Sequence, residues 1–270
     1  MLECVINVSE GARPEVVASI AGAGGDHVLD VHSDAHHNRS VVTLAGPEVE
    51  ERAFQVVRAA CSAIDLRRHQ GVHPRLGAAD VVPFVPLAGR LLDDALSARD
   101  RLATRVAADL GVPCFLYGPD RSLPDVRRRA FATLAPDVGP DAPHPRAGAC
   151  CVGARHVLVA YNLWLGPGAT LDDARRIAGA IRRPGLRTLG LAVGVSVQVS
   201  CNLTDPGHLG PAVAYDLVAE HATVARAELV GLVPAAVLAA VPRGWWERLD
   251  LSPERTIEAR LEQAGLDGGS

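Results

Sequence analysis

HVLDVHSDAHHNRSVVTLAG, residues 27–46, is the stretch that decides the fold. Its two ends, HVLDVHS (27–33) and RSVVTLAG (39–46), have the β-branched composition of strands. The DAHHN between them is polar and closes on Asn38, a residue suited to turns. Two strands therefore follow one another directly, without a helix between. Upstream, LECVINV (2–8) reads as a strand that ends at the polar Ser9, Glu10 and Gly11. Pro14 then opens a helix, PEVVASIAGA, where proline is tolerated. Downstream of Pro47, apolar residues at Ala53, Val56, Val57, Ala60 and Ile64 keep helical spacing. ADVVPFVPL (79–87) is the next strand, and its prolines suggest an edge or a strand end. The first half thus reads β-α-β-β-α-β. A further helix near 93–110 and a strand PCFLY (113–117) follow.

The second half repeats that order. RHVLVAYNLWL (155–165) is a strand and LDDARRIAGAIR (171–182) a helix. LRTLGLAVG (186–194) and VSVQVSCNLT (195–204) are strands with a turn near Gly194. GPAVAYDLVAEHATV (210–224) is a helix and RAELVGLVP (226–234) a strand. Two such units point to an α+β protein with duplicated ferredoxin-like β-α-β-β-α-β sub-domains, one continuous mixed sheet being the alternative. The expected division is 1–148, 149–242 and a C-terminal helical tail over 243–270. That tail holds Trp245, Trp246 and a charged helix, PERTIEARLEQAG, read as docking by its tryptophans and as a candidate subunit contact in a homodimer. Between the halves, LAPDVGPDAPHPRAGACCVGA (134–154) is too rich in Pro and Gly for helix or strand. A linker is one reading. Its length favours a functional loop.

Composition narrows the chemistry. Of 270 residues, 48% are hydrophobic but only 4% aromatic, so Ala, Val and Leu must fill the core by close interdigitation. A formal net charge of −4 gives no electrostatic case for nucleic acid. The sequence has no lysine. That excludes a Walker phosphate lysine, a Schiff-base lysine and a lysine general base. Arginine remains, and it grips carboxylates bidentately. The six cysteines form no C-x-x-C pair and sit mostly in apolar runs, as buried thiols of a reducing compartment do. The N-terminus MLECVINVSE lacks a signal peptide's features, and no run is long enough to span a membrane, so a cytoplasmic location is expected.

Ten histidines make a metal site worth weighing. His36 and His37 are adjacent, and His69 and His73 are four apart. Gly71 and Pro74 argue against a helix that would put the second pair on one ion, and the glutamate of a zinc hydrolase motif is missing, so no metal is expected. His73 sits in a Gly-rich loop between helix and strand, with Arg75 two residues on and Asp80 near by. Its near-neutral pKa suits general acid–base work, though a structural loop histidine fits those residues equally. Cys150 and Cys151 have no recognisable partner for nucleophilic catalysis. The glycines of 185–194 lack dinucleotide-binding spacing.

Read together, ECVINVSEG (3–11), DVHSDAHHNRSVVTLAG (30–46), IDLRRHQGVHPRLGAADVVPFVP (64–86), GVPCFLYG (111–118), PDVGP (136–140), VGARHVLVAYN (152–162), QVSCNLTD (198–205) and ELVGLVP (228–234) resemble the formiminotransferase domain of glutamate formimidoyltransferases. The likeness is collinear over about 2–240, and GVHPRLGAADVVPFVP is its most specific run. It implies transfer of a formimino group between 5-formiminotetrahydrofolate and glutamate, in histidine breakdown and one-carbon metabolism. Tetrahydrofolate would be the carrier, held in a cleft between the two sub-domains. The family's catalytic histidine, in G-x-H-P-R, corresponds to His73. Its folate-binding segments correspond to Gly139, Pro140, Asp141, Ala142, Pro143, His144, Pro145, Arg146, Ala147 and Gly148, and to Gly185, Leu186, Arg187, Thr188, Leu189, Gly190, Leu191, Ala192, Val193 and Gly194. The sequence departs from the family pattern at 144–147 and is shorter near 190–198. The cyclodeaminase domain fused to some relatives is not in these 270 residues, so a separate deaminase is expected to process the product.

For that reaction Asn38, Arg39, Arg75 and Asp80 are the substrate-binding candidates. Arg39 and Arg75 would clamp carboxylates, and Asp34 or Asp80 would stabilise a cationic formimino group. A formyl-transferring or other-acceptor paralogue and a non-catalytic folate-binding protein are the competing readings.

Overall fold

A computed structural model of the protein describes residues 1–71, 75–87 and 89–266. The chain forms two units, one of Met1–His156 joined by the chain from Ala264 on, the other of Val157–Gln263.

In the first unit the elements run β1 (Leu2–Val8), α1 (Pro14–Gly22), β2 (Val28–Asp34), β3 (Arg39–Gly46), α2 (Val49–Ala63), β4 (Ala79–Pro86), α3 (Leu92–Leu110), β5 (Cys114–Tyr117), α4 (Leu123–Arg129) and β6 (Cys150–Ala154). They build a sheet of order β2-β3-β1-β4-β6-β5. The pairings from β2 through β3 and β1 to β4 are antiparallel, while β4–β6 and β6–β5 are parallel. The 27–46 hairpin closes as its composition predicts, with Asp34 opposite Arg39 and Val31 opposite Val42. Asp34 accepts from the His37 N–H at 2.8 Å, and Asn38 takes a left-handed φ of 48°, which asparagine tolerates better than other side chains. Helices α2 and α3 pack on the sheet with small residues. Ala53, Val56, Ala60, Ala98, Ala103 and Val106 are fully buried against Cys4, Ile6 and Phe84. Alanine at these contacts lets helix backbone approach the sheet closely, which is how so few aromatics fill the core.

Two expectations are corrected here. Of the two readings of the prolines in 79–87, the strand end holds, since Pro86 closes β4, but the edge does not, because β4 lies between β1 and β6. Pro83 is accommodated where the ladder to β1 is interrupted, between Cys4–Phe84 and Asn7–Val81. The end of the Pro/Gly-rich run is not irregular either. Cys150–Ala154 form β6, buried along its whole length between β4 and β5. A strand buried on both faces shows no polar alternation, so its pattern resembles a loop's small-residue run. These residues lie past 148 and belong to the first sheet. Helix α4 has no counterpart among the sequence readings.

The second unit runs β7 (Val159–Leu165), α5 (Leu171–Ile181), β8 (Leu186–Val193), β9 (Ser196–Leu203), α6 (Pro211–Ala219), β10 (Val224–Val230), α7 (Ala235–Ala239) and α8 (Ile257–Gln263). Its sheet is antiparallel throughout, in the order β10-β7-β9-β8. Counted within each unit, that is fourth-first-third-second, the reverse reading of the second-third-first-fourth order of β2-β3-β1-β4. Thr170 starts α5 with a reciprocal cap, its hydroxyl accepting from the Asp173 N–H while the Asp173 carboxylate accepts from the Thr170 N–H. Residues 243–263 belong to this unit, and some of them enter its core. Leu249 and Leu251 are buried in it, and the buried Tyr161 hydroxyl donates to the Leu249 carbonyl at 2.8 Å. Trp245 and Trp246 pack against the same core, so they dock on their own unit. Among the described residues no helix is long and apolar enough to cross a membrane.

Candidate active site

The connection from α2 to β4 is anchored by buried Ile64 and turns at Leu66–Arg68, where the Asp65 carboxylate caps the Arg67 N–H at 3.1 Å. His69, Gln70 and Gly71 follow. His73 lies outside the described residues, and the chain resumes at Arg75. A pocket of about 530 Å³ is lined by Leu66, His69, Gln70, Gly71 and Arg75. A second, of about 400 Å³, is lined by Glu10, Arg13, Asn38, Arg68, His69 and Arg146 among others. His69 belongs to both.

Asn38 connects the segments around these pockets. Its Oδ1 accepts from the Gly11 and Ala12 N–H groups at 3.0 and 3.3 Å, and its Nδ2 reaches the Gln70 carbonyl at 2.8 Å and the His69 ring at 3.2 Å. Glu10 accepts from the Ala12 and Arg13 N–H groups and pairs with the Arg13 guanidinium at 2.5 Å. Burial alone would raise the Glu10 carboxyl's pKa, but those donors lower it.

Beside them lies a cluster of arginines around one buried carboxylate. Asp80 accepts from the Leu76 N–H at 2.6 Å and from Arg127 at 2.5 Å. Arg39 donates to the Asn7 side chain. Burial draws the Arg39 pKa down to about 10, with Asp80 opposing the shift and Arg127 and Arg75 adding to it. Arg75 is also lowered, first by burial and then by Arg127, again against Asp80. Three guanidiniums thus act on each other around Asp80, a concentration of positive charge suited to a carboxylate or phosphate ligand.

The run 139–148 is bound into this region. Gly148 and His144 exchange backbone hydrogen bonds at 2.8 and 2.9 Å, and Ala149 donates to the Leu76 carbonyl at 2.9 Å. The Arg146 carbonyl accepts from Leu66 and the Ala147 carbonyl from Ala78, both at 2.9 Å. Gly148 has φ +71°, and a Cβ there would stand 2.1 Å from the Leu76 carbonyl oxygen, so only glycine permits this approach.

Residues 1–155 match the family described as formiminotransferase domain, N-terminal subdomain. The chain is 33% identical to the glutamate formimidoyltransferase of Thermoplasma acidophilum across 98% of both proteins. The chain belongs to the formiminotransferase family. It is also 39% identical to the glutamate formimidoyltransferase of Streptococcus pyogenes, over 68% of this chain and 69% of that one. Across 99% of its length it is 35% identical to pig formimidoyltransferase-cyclodeaminase, of which it spans 57%.

Within this formiminotransferase framework the structure gathers some of the sequence candidates and separates others. Asn38, Arg39, Arg75, Asp80 and the 139–148 run all fall in the first unit. The second run, Gly185–Gly194, forms β8 and its flanks in the other unit. There Leu186 and Thr188 are buried, Thr188 donating to the Ala178 carbonyl at 2.5 Å, while Arg187 and Leu189 face outward. Asp80 and Asp34 are committed elsewhere than expected. Asp80 pairs with Arg127, and Asp34 is held by the His37 N–H and ring at 2.8 Å each. Burial would raise the Asp34 pKa, yet the His37 bonds lower it. Among the described residues no three His, Cys, Asp or Glu side chains converge as metal ligands would. Burial pushes the Cys151 thiol up to about 12, which leaves no thiolate for attack at neutral pH.

Sequence reading missed three contributors. His69 was weighed only as half of a metal pair, although the same run displayed it. Arg127 carries no local signal, because only the fold brings α4 to Asp80. The Glu10–Arg13 pair is visible in the sequence only as a three-residue spacing.

Proposed function

We propose that the protein moves a formimino group between 5-formiminotetrahydrofolate and glutamate, with His73 as general acid and base. The family membership and the names of the relatives support the reaction class. The observation that carries the acceptor is the cluster of Arg39, Arg75 and Arg127 near Asp80, guanidiniums of the kind that bind carboxylates such as the two of glutamate. The run 139–148, hydrogen-bonded to Leu66 and Ala78 beside the pockets, supports folate at this site.

The chemistry follows from the groups. The glutamate amine attacks the formimino carbon, forming a C–N bond and a tetrahedral centre with three nitrogens. The bond to N5 of tetrahydrofolate then breaks. One proton must leave the amine and one must reach N5, so a single near-neutral histidine can take the first and return it, worth about 10²–10⁴-fold in rate. Asp34 and Asp80 are occupied by His37 and Arg127, so this reading gives neither the task of stabilising the formimino cation. Tetrahydrofolate is a substrate here, and no metal takes part. In architecture, the reading treats the two β-α-β-β-α-β units as ferredoxin-like duplicates, with β5 and β6 extending the first sheet.

Incubating the protein with 5-formiminotetrahydrofolate and glutamate should yield N-formiminoglutamate and tetrahydrofolate. Absence of exchange with both the formimino and the formyl carrier would remove this reading.

A further inference from the structure

The Asn38 amide has four neighbours on two other segments, and three of them have fixed polarity. The Gly11 and Ala12 N–H groups can only donate, so the atom 3.0 and 3.3 Å from them must be oxygen. The Gln70 carbonyl can only accept, so the atom 2.8 Å from it must be the NH₂ nitrogen. The amide orientation is therefore set by backbone groups. That nitrogen is also 3.2 Å from His69 Nδ1. An NH₂ group offers only hydrogens, so Nδ1 must accept, and the ring's single proton must sit on Nε2.

We propose that Asn38 is a positioning residue that locks His69 as its neutral Nε2–H tautomer, making it a hydrogen-bond donor to the bound reactants. The inference rests on the proposed function only in taking the pockets around His69 as the place of transfer. His69 lines both pockets, and its Nε2 is buried without a hydrogen-bond partner, a polar atom whose bonding is unmet in the protein alone. Burial, then the charge of Arg75, lowers the His69 pKa, which favours the neutral ring that the Asn38 contact requires. The same turn grips the loop on its other side. Arg75 donates to the His37 and Asn38 carbonyls at 3.1 and 3.3 Å. A Cβ on Gly71 would stand 2.7 Å from the His37 oxygen and 2.5 Å from the Arg75 guanidinium, so glycine is required for the approach. Asn38 thus holds both described ends of the loop, and its left-handed φ of 48° aims the side chain to do so.

Asn38→Asp separates the two halves of this role. The carboxylate can still accept from Gly11 and Ala12, but it cannot donate to His69 or Gln70. Nitrogen-15 spectra of the full-length protein, with His69 assigned by its loss in His69→Gln, should show Nε2 protonated and Nδ1 bare. In Asn38→Asp the proton should move to Nδ1, or both nitrogens should carry one. The kcat for formimino transfer should fall at least about tenfold with both KM values nearly unchanged, as when an orienting partner of a working histidine is lost. His69→Gln, whose amide can donate from near the Nε2 position, should retain at least about ten times the activity of His69→Ala. A wild-type His69 protonated on Nδ1 would overturn the proposal. So would unchanged kcat in Asn38→Asp, and so would a raised KM at constant kcat, which would make Asn38 a direct substrate contact. If Asn38→Asp fails to fold, the wild-type spectrum and the His69 pair still decide. If the wild type transfers no formimino group, the proposed function falls while the spectrum still tests the tautomer.

Discussion

In the first unit the chain takes Ile64–Ala78 to pass from α2 to β4, whereas the equivalent passage in the second unit, from α6 to β10, needs only Glu220–Thr223. The strands and helices on either side follow the same order. The longer connection is where polar groups gather: Asp65 caps a turn, His69 meets Asn38, and Arg75 reaches two carbonyls. The hairpins differ in the same sense. Between β2 and β3 the turn holds His37 and Asn38, each engaged with other segments, while between β8 and β9 it is Gly194–Val195, with Val195 fully exposed. The polar contacts of the first unit therefore gather where its chain is longer than that of the second. Loops cost little to lengthen, because closure entropy grows only slowly with length, and strands and helices beneath them need not change.

That contrast can be broken at several points. His73→Ala should cut turnover at least about a hundredfold with the thermal midpoint unchanged, measured by formiminoglutamate formation and by calorimetry. Undiminished turnover would take His73 out of the reaction. Leu249→Ala, in the second unit's core, should do the opposite. It should cost about 3 kcal/mol of stability in a denaturant titration and leave the turnover of the folded fraction intact. Arg127→Leu stands between, since it strips a buried carboxylate of its cation. We expect about 2 kcal/mol, less than for a fully enclosed pair, because Arg127 is partly exposed and Asp80 keeps its backbone donors. The KM for glutamate should rise with it, and a stability loss without that rise would detach the cluster from acceptor binding. Thr170→Ala removes one helix cap and should cost about 1 kcal/mol with no change in kcat or KM.

Much of the fold was legible. Val31, Val41 and Val42 in 27–46 mark strands by composition, and Ala53, Val56, Val57 and Ala60 mark α2 by spacing, because these signals are local. Cys150–Ala154 could not be read that way. Its strand identity comes from partners at Val81–Phe84 and Cys114–Tyr117, and a strand buried on both faces has no periodicity to display. The site divides likewise. Arg75 and Asp80 stand in the run that the sequence already marked for substrate binding, whereas His69 in the same run was read only as half of a metal pair. That Asp80 serves Arg127 and Asn38 serves His69 could not be anticipated, since 47 and 31 residues separate those partners.

By itself the sequence determined the β-α-β-β-α-β order within each unit, the absence of lysine chemistry and the kinship with formiminotransferases. Only the tertiary structure decided that β4 lies inside the first sheet, and that the Asn38 amide meets the His69 ring. Both depend on hydrogen-bond partners brought from distant parts of the chain, and no local pattern encodes a partner that folding alone delivers.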